Sequence, residues 1–196
     1  MTTAETSGDG GPAARGGDLW VFAYGSLIWR PGFDFAERQL ATLRGFRRAF
    51  CMTSIHYRGT AEAPGLVLSL DAEPGGRCDG LAYRIEAGAP AAAVLAYLRE
   101  RELVSYAYDE CWLPVDLSDG SAVEAVVYVS NPAHAQYVGG LTLAEQAAII
   151  ARARGSMGSN VDYLRATVAS LETLGLHDAD LAALVAMMPG EGPESA

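Results

Sequence analysis

Apolar and polar residues alternate through much of the first two thirds of this chain, whereas in the last third the apolar positions recur at helical spacing. Asp18–Tyr24 reads as a strand, and Gln39–Ser54 as one long strand or two short ones around Gly45, where a bulge fits. Gly65–Asp71 and Cys78–Ile85 are predicted strands joined by the hairpin-like Ala72-Glu73-Pro74-Gly75-Gly76. Cys111–Asp116 and Val123–Ser130 make a second pair around Asp119-Gly120. Many short strands at such spacings predict a small barrel or curled sheet. In the last third, Thr142 and Glu145 form a capping-box signature before Ala147–Arg152, and Gly155 is expected to end that helix. Asn160 is expected to cap the next helix, which ends near Gly175. A short third helix is predicted over Asp178–Met187, before a Gly/Pro-rich polar tail. No internal repeat is visible.

Between the strand groups, Pro90–Leu103 reads as a helix with an apolar stripe through Ala91, Leu95 and Leu98, and four residues further the stripe lands on Glu102. Glu102 therefore points where the leucines point, while Glu100 falls on the opposite, solvated side. A carboxylate on an inward face is costly to ionise, and partial desolvation raises its pKa toward a value useful for proton transfer. That makes Glu102 a candidate general base. The competing reading is equally open at this point: the helix ends at Arg101, and Glu102 turns to water or pairs with an arginine.

A second candidate is the run Phe22-Ala23-Tyr24-Gly25-Ser26-Leu27-Ile28-Trp29, where an apolar strand breaks into a glycine-bearing turn. With no Cβ at Gly25 the backbone is free to take a positive φ, and successive amides can converge on a carboxylate. The steric alternative, a buried strand ending in Gly-Ser, outweighs this on local chemistry alone. Other groups carry less. Ser26 lacks the G-x-S-x-G setting of a nucleophile elbow, and nothing marks Cys51, Cys78 or Cys111 as an activated thiolate. His56, His134 and His177 have no partner motif, and the glycines of Gly155-Ser156-Met157-Gly158-Ser159-Asn160 link helices rather than follow a strand. Tyr106 is expected in the core.

The net charge of −10 and pI near 4.7 argue against a nucleic-acid surface, which needs clustered Lys and Arg. An anionic small molecule would need a local exception. The densest are Arg44, Arg47 and Arg48, expected to face solvent, and Arg58 in His-Tyr-Arg-Gly-Thr. Residues 1–17 lack a basic n-region and hydrophobic segment, so a disordered tail rather than a signal peptide is expected there. A single domain over 18–188 and a flexible tail over 189–196 complete the expected organisation. No apolar stretch approaches the roughly 20 residues that span a bilayer. Three cysteines without zinc-ligand spacing point to a cytoplasmic protein with no metal.

Taken in order, several segments resemble the ChaC-like family of glutathione-specific γ-glutamylcyclotransferases. They are Trp20–Trp29, Arg58-Gly59-Thr60 with Pro64-Gly65, Gly80-Leu81-Ala82-Tyr83-Arg84, Arg101-Glu102 and Gly158-Ser159-Asn160-Val161-Asp162-Tyr163-Leu164. The resemblance runs from Leu19 to Met188. It implies a compact α+β fold with a curled, barrel-like mixed sheet and flanking helices. It also implies cyclisation of glutathione to 5-oxoproline and Cys-Gly without a cofactor, with the small molecule as partner rather than nucleic acid or membrane. On that resemblance, Tyr24, Gly25, Ser26 and Leu27, reached through Phe22 and Ala23, would bind the γ-glutamyl end. Glu102 would be the acid/base, and Tyr108 a hydrogen-bond donor at the site. The chain departs from the family's pattern twice: Ala23 stands where Gly is common, and Leu66 where Arg is common, so Arg58 is expected to replace that arginine. Two further readings remain: a cyclotransferase for other γ-glutamyl amino acids or amines, and a non-catalytic regulator that binds a γ-glutamyl ligand.

Overall fold

In the computed structural model, residues 16–189 are described, so the expected tails lie almost wholly outside the described residues. Five strands close a mixed barrel in the order β1-β3-β2-β4-β5. They are β1 (Leu19–Ala23), β2 (Glu37–Ser54), β3 (Gly65–Ile85), β4 (Tyr108–Leu117) and β5 (Ala122–Ser130). Strand β1 runs antiparallel to β3, from Leu19 opposite Ile85 to Ala23 opposite Leu81, and parallel to β5, with Trp20 opposite Ala125. Antiparallel pairing joins β2 to β4 and β4 to β5. The α+β class, the barrel and the β4–β5 hairpin agree with the sequence reading; Gly120 takes φ +88° in the hairpin turn.

The predicted hairpin at Ala72–Gly76 does not form. Strand β3 continues through it for 21 residues, with Gly75 at φ +79° on an exposed stretch. Nearly continuous buried runs of the strand flank the Pro-Gly-Gly on both sides, so the segment bends a strand instead of reversing it.

The chain's contacts define two compact units. The first comprises the residues up to Ala49 with Ser69–Tyr137. Its core fills the barrel with Phe22, Tyr24, Leu43, Leu70, Ala82, Val115, Val127 and Val129 among others. Along β5, Ala125, Val127 and Val129 face this core, so Val126, Tyr128 and Ser130 face outward, opposite Trp112, Glu110 and Tyr108 of β4. The same unit holds α1 (Ala89–Glu102), which buries Ala91, Val94, Leu95 and Leu98, the predicted stripe. Arg99 and Arg101 in its last turn complement the helix dipole.

The second unit comprises Phe50–Leu68 with the chain from Val138. It contains α2 (Leu143–Ile150), the two-residue strands β6 (Arg154–Gly155) and β7 (Gly158–Ser159), α3 (Asn160–Thr173) and α4 (Ala179–Ala186). The Thr142–Glu145 capping box is present, and Asp178 caps α4. Two expectations change. Gly155 pairs with Gly158 in the small ribbon rather than ending α2, which closes at Ile150. Ser159, not Asn160, caps α3, accepting the Asp162 amide at 3.0 Å. Asn160 is fully buried and serves as a strand substitute: its Oδ1 accepts the Leu66 N–H at 2.6 Å, and its Nδ2 donates to the Leu66 carbonyl at 2.8 Å. Close by, a Cβ on Gly59 would meet the Gly65 nitrogen at 2.0 Å, so only glycine lets these backbones cross. Among the described residues no helix is long and apolar enough to cross a membrane.

Replacing Asn160 by Ala strands a buried N–H and a buried carbonyl, each costing about 1–3 kcal/mol. Asn160→Ala is therefore expected to lower the urea midpoint of unfolding clearly at unchanged slope. An unchanged midpoint would mean that water replaces the amide.

Candidate active site

The Tyr24–Trp29 segment leaves β1 and winds into one 3₁₀ turn, Ser26–Ile28, with Ile28 N–H on the Gly25 carbonyl at 2.9 Å and Arg30 N–H on the Ser26 carbonyl at 2.9 Å. The Tyr24 carbonyl accepts Arg48 Nε at 2.6 Å. Carbonyl and amide of a trans peptide point in opposite directions. The carbonyls of Tyr24, Gly25 and Ser26 are thus engaged, and each points away from the amide that follows it, those of Gly25, Ser26 and Leu27. Gly25 itself sits at φ −132°, not at the positive φ expected of it.

The turn is held from several directions. Tyr83, fully buried, directs its hydroxyl at the Leu27 and Ile28 carbonyls at 3.2 and 3.1 Å. The Tyr24 hydroxyl donates to the Tyr128 carbonyl at 2.8 Å. Phe22 and Ala23 are buried, with Phe22 in the barrel core, so they lead into the turn through their backbone. Arg48 is 7 % exposed, which corrects the expectation that it faces solvent. Its neighbours follow the expected pattern better: Arg44 is exposed beside Asp116, and Arg47 pairs with Asp71 at 3.0 Å.

Glu102 closes α1 with one-fifth of its side chain exposed, and its Oε1 lies 3.0 Å from Arg101 Nε. Burial pushes its carboxyl above the ordinary carboxylate range, while the Arg101 charge pulls the other way. The two sequence readings of Glu102 thus both hold in part: it keeps the inward face and pairs with an arginine. The same guanidinium donates through Nη2 to Ser26 Oγ at 2.9 Å and through Nη1 to the Arg30 carbonyl at 2.8 Å and the Tyr97 hydroxyl at 3.1 Å. Carboxylate and turn are therefore one guanidinium apart. Gly32, at φ +77°, closes the segment against Tyr97, whose hydroxyl oxygen stands 2.1 Å from where a Cβ would be.

Tyr128 was not singled out in the sequence because it sits in the apolar run Val-Val-Tyr-Val. Buried on the outer face of β5, it donates to Glu110 Oε2 at 3.1 Å, and Arg99 grips Glu110 with two bonds of 2.8 and 2.7 Å. Burial, with the charges of Glu110 and Glu102, raises the phenol's pKa, so Tyr128 stays a neutral donor beside the carboxylate. Tyr108 is half-buried at the start of β4, opposite Ser130 and on the same strand face as Glu110 and Tyr128. Tyr106 is 75 % exposed with φ +53°, not in the core. Arg58 belongs to the second unit, where Nη1 donates to the Met157 and Ser159 carbonyls at 2.6 and 3.3 Å and the guanidinium lies 5.1 Å from the Tyr163 ring centre. Leu66 is fully buried there. Burial raises the Cys111 thiol, the reverse of an activated thiolate. Among the described residues no group of His, Cys, Asp and Glu side chains is placed to hold a metal ion.

A closed mixed barrel with a largely buried carboxylate at the end of α1 is the γ-glutamylcyclotransferase fold, and solved structures match it. A glutathione-specific γ-glutamyl cyclotransferase from yeast superimposes with a TM-score of 0.79 at 25 % identity, over 87 % of this chain and 95 % of that one. The family described as "ChaC-like protein" matches residues 19–190, and this chain belongs to it. Its relatives include the Escherichia coli glutathione-specific gamma-glutamylcyclotransferase, 38 % identical over 83 % of this chain and 69 % of that protein. The human glutathione-specific gamma-glutamylcyclotransferase 1 is 34 % identical over 90 % and 79 %.

A raised carboxyl pKa penalises the folded state only where Glu102 is ionised. Folding is unpenalised below the unfolded-state pKa and loses stability as pH rises through the folded-state pKa. Glu102→Gln should therefore match the wild type in thermal midpoint near pH 4 and exceed it near pH 8. A variant that is less stable at pH 8 would show that the Arg101 pair outweighs desolvation.

Proposed function

We propose that this protein is a glutathione-specific γ-glutamylcyclotransferase, releasing 5-oxoproline and Cys-Gly. The observation that carries the reading is Glu102, desolvated and joined through one guanidinium to the Ser26 turn, in a chain of the ChaC-like family.

The nucleophile in this reaction is already tethered to its target. The α-amine of the γ-glutamyl unit attacks the side-chain carbonyl carbon, a five-membered ring closes, and the bond to the cysteinyl nitrogen breaks. Near neutral pH the amine is mostly an ammonium and sheds two protons on its way to the ring N–H, while the leaving nitrogen gains two on its way to an ammonium. Glu102 accepts each proton from the α-nitrogen in turn and returns it to the leaving nitrogen, so no water, redox partner or cofactor enters the balance. Its raised pKa suits both duties, because a shift upward from the ordinary carboxylate range makes the carboxylate a stronger base toward the ammonium.

The amides of Gly25, Ser26 and Leu27 receive the substrate α-carboxylate. This keeps a negative ligand away from the net-acidic surface and folds the flexible γ-glutamyl arm toward attack geometry. Tyr108 is the donor for the carbonyl oxygen as it gains charge, while the neutral Tyr128 keeps its proton on Glu110. Arg58 is assigned to bracing the Met157–Ser159 turn through the bonds described above. An inward carboxylate beside an anion-receiving turn would weaken a pure binder of anions, which favours catalysis over a regulatory role. A cytoplasmic location fits the three buried, unbridged cysteines.

Incubation with glutathione should give equal amounts of 5-oxoproline and Cys-Gly by mass spectrometry, with γ-glutamyl-alanine turned over far more slowly. Glu102→Gln should fold normally and lose at least about 10²-fold in kcat. Calorimetric binding of glutathione without products would overturn the enzymatic reading, and faster turnover of γ-glutamyl-alanine would overturn the specificity.

A further inference from the structure

Arg101 makes more polar contacts around the candidate site than the ion pair with Glu102 requires. Three nitrogens point three ways: Nε to Glu102 Oε1, Nη2 to Ser26 Oγ, and Nη1 to the Arg30 and Pro31 carbonyls at 2.8 and 3.3 Å and to Tyr97 Oη. Tyr97 lies one helical turn before Arg101, so the same face of α1 grips both ends of the turn segment, at Ser26 and at Gly32. The guanidinium is planar and its donors are fixed relative to one another, so the directions of these bonds are coupled.

We propose that Arg101 is a positioning residue that locks the Glu102 carboxylate to the Ser26 turn, making base and substrate cradle a single rigid element. This rests on Glu102 being the base and on the turn receiving the substrate. The carboxylate sits at a helix terminus on a side chain with three rotatable bonds, and the turn is an irregular loop. Tyr83 and Arg48 hold the backbone of the turn, and the apolar stripe packs α1, but these contacts do not reach the torsions of the Glu102 side chain; a group bonded to both carboxylate and turn does. A substrate anchored by its carboxylate on the turn presents its amine at one place, and a base displaced by about 1 Å from that place loses much of its effect, up to about 10²-fold. A second consequence is electrostatic. The groups around Glu102 are Arg101 on its own helix and Tyr128 from β5, with Glu110 of β4 behind Tyr128 and already neutralised by Arg99. Arg101 is the charge that opposes desolvation of the carboxyl, so it also sets where Glu102 titrates.

The test uses Arg101→Met, Arg101→Lys and Ser26→Ala beside wild type and Glu102→Gln, with folding checked by circular dichroism. Arg101→Met should lower kcat about 10- to 100-fold with a smaller change in KM, and should move the acidic limb of the kcat/KM–pH profile to higher pH. Arg101→Lys keeps a cation near Glu102 but cannot span to Ser26 and the carbonyls, so it should restore the acidic limb without restoring kcat. Ser26→Ala should lower kcat and leave the limb in place. Should Arg101→Met fail to fold, the lysine and alanine variants carry the test. Wild-type kcat and an unmoved limb in the folded Arg101 variants would overturn the positioning role, while active wild type and inactive Glu102→Gln would leave the base assignment standing. Activity retained in Glu102→Gln would instead overturn the reading on which the proposal rests.

Discussion

A carboxyl group kept partly out of water beside a site for an anion is under two opposing pressures. Desolvation and the incoming negative charge favour its protonated form, and a fixed cation favours the ionised one. In this chain both act on Glu102, and Arg101 supplies the cation. Much of the first unit's architecture serves to keep that balance local. The helix α1 ends where its apolar stripe ends, so the residue that would have been its next buried leucine is the carboxylate.

The barrel supplies the other half of the geometry. Strand β1 delivers Tyr24 to the rim, where its carbonyl is taken by the buried Arg48 and its hydroxyl by the Tyr128 carbonyl. Tyr83 from β3 occupies the carbonyls at the far end of the turn. These donors satisfy acceptors that would otherwise be costly to bury, and in doing so they orient the peptide planes. A turn of this sort depends less on the loop's own residues than on the side chains behind it, which come from sequence positions 24 to 75 residues away.

The features legible from sequence share a local cause. The stripe through Ala91, Leu95 and Leu98, the Thr142–Glu145 box and the Asp119-Gly120 hairpin are each set by residues within a few positions of one another. What could not be read depends on distant partners. Arg48 looks like any charged strand residue until the Tyr24 carbonyl is placed beside it. Asn160 looks like a helix cap until Leu66 arrives from 94 residues earlier with an unpaired N–H and carbonyl. Glu73-Pro74-Gly75-Gly76 carries turn residues, yet sheet pairing on both flanks overrides them and β3 runs on. Segments that mark the resemblance also divide by task. Arg58-Gly59 with Pro64-Gly65 and Gly158–Asn160 build a close backbone crossing in the second unit, while the Tyr24–Leu27 and Arg101-Glu102 segments are joined in the first.

The most direct measurement is a crystal structure of the protein with 5-oxoproline bound. The account predicts the product carboxylate on the amides of Ser26 and Leu27 and the ring N–H within hydrogen-bond reach of Glu102, with Arg101 still bridging that carboxyl to Ser26. Product bound away from this turn, or bound there with Glu102 directed elsewhere, would contradict it.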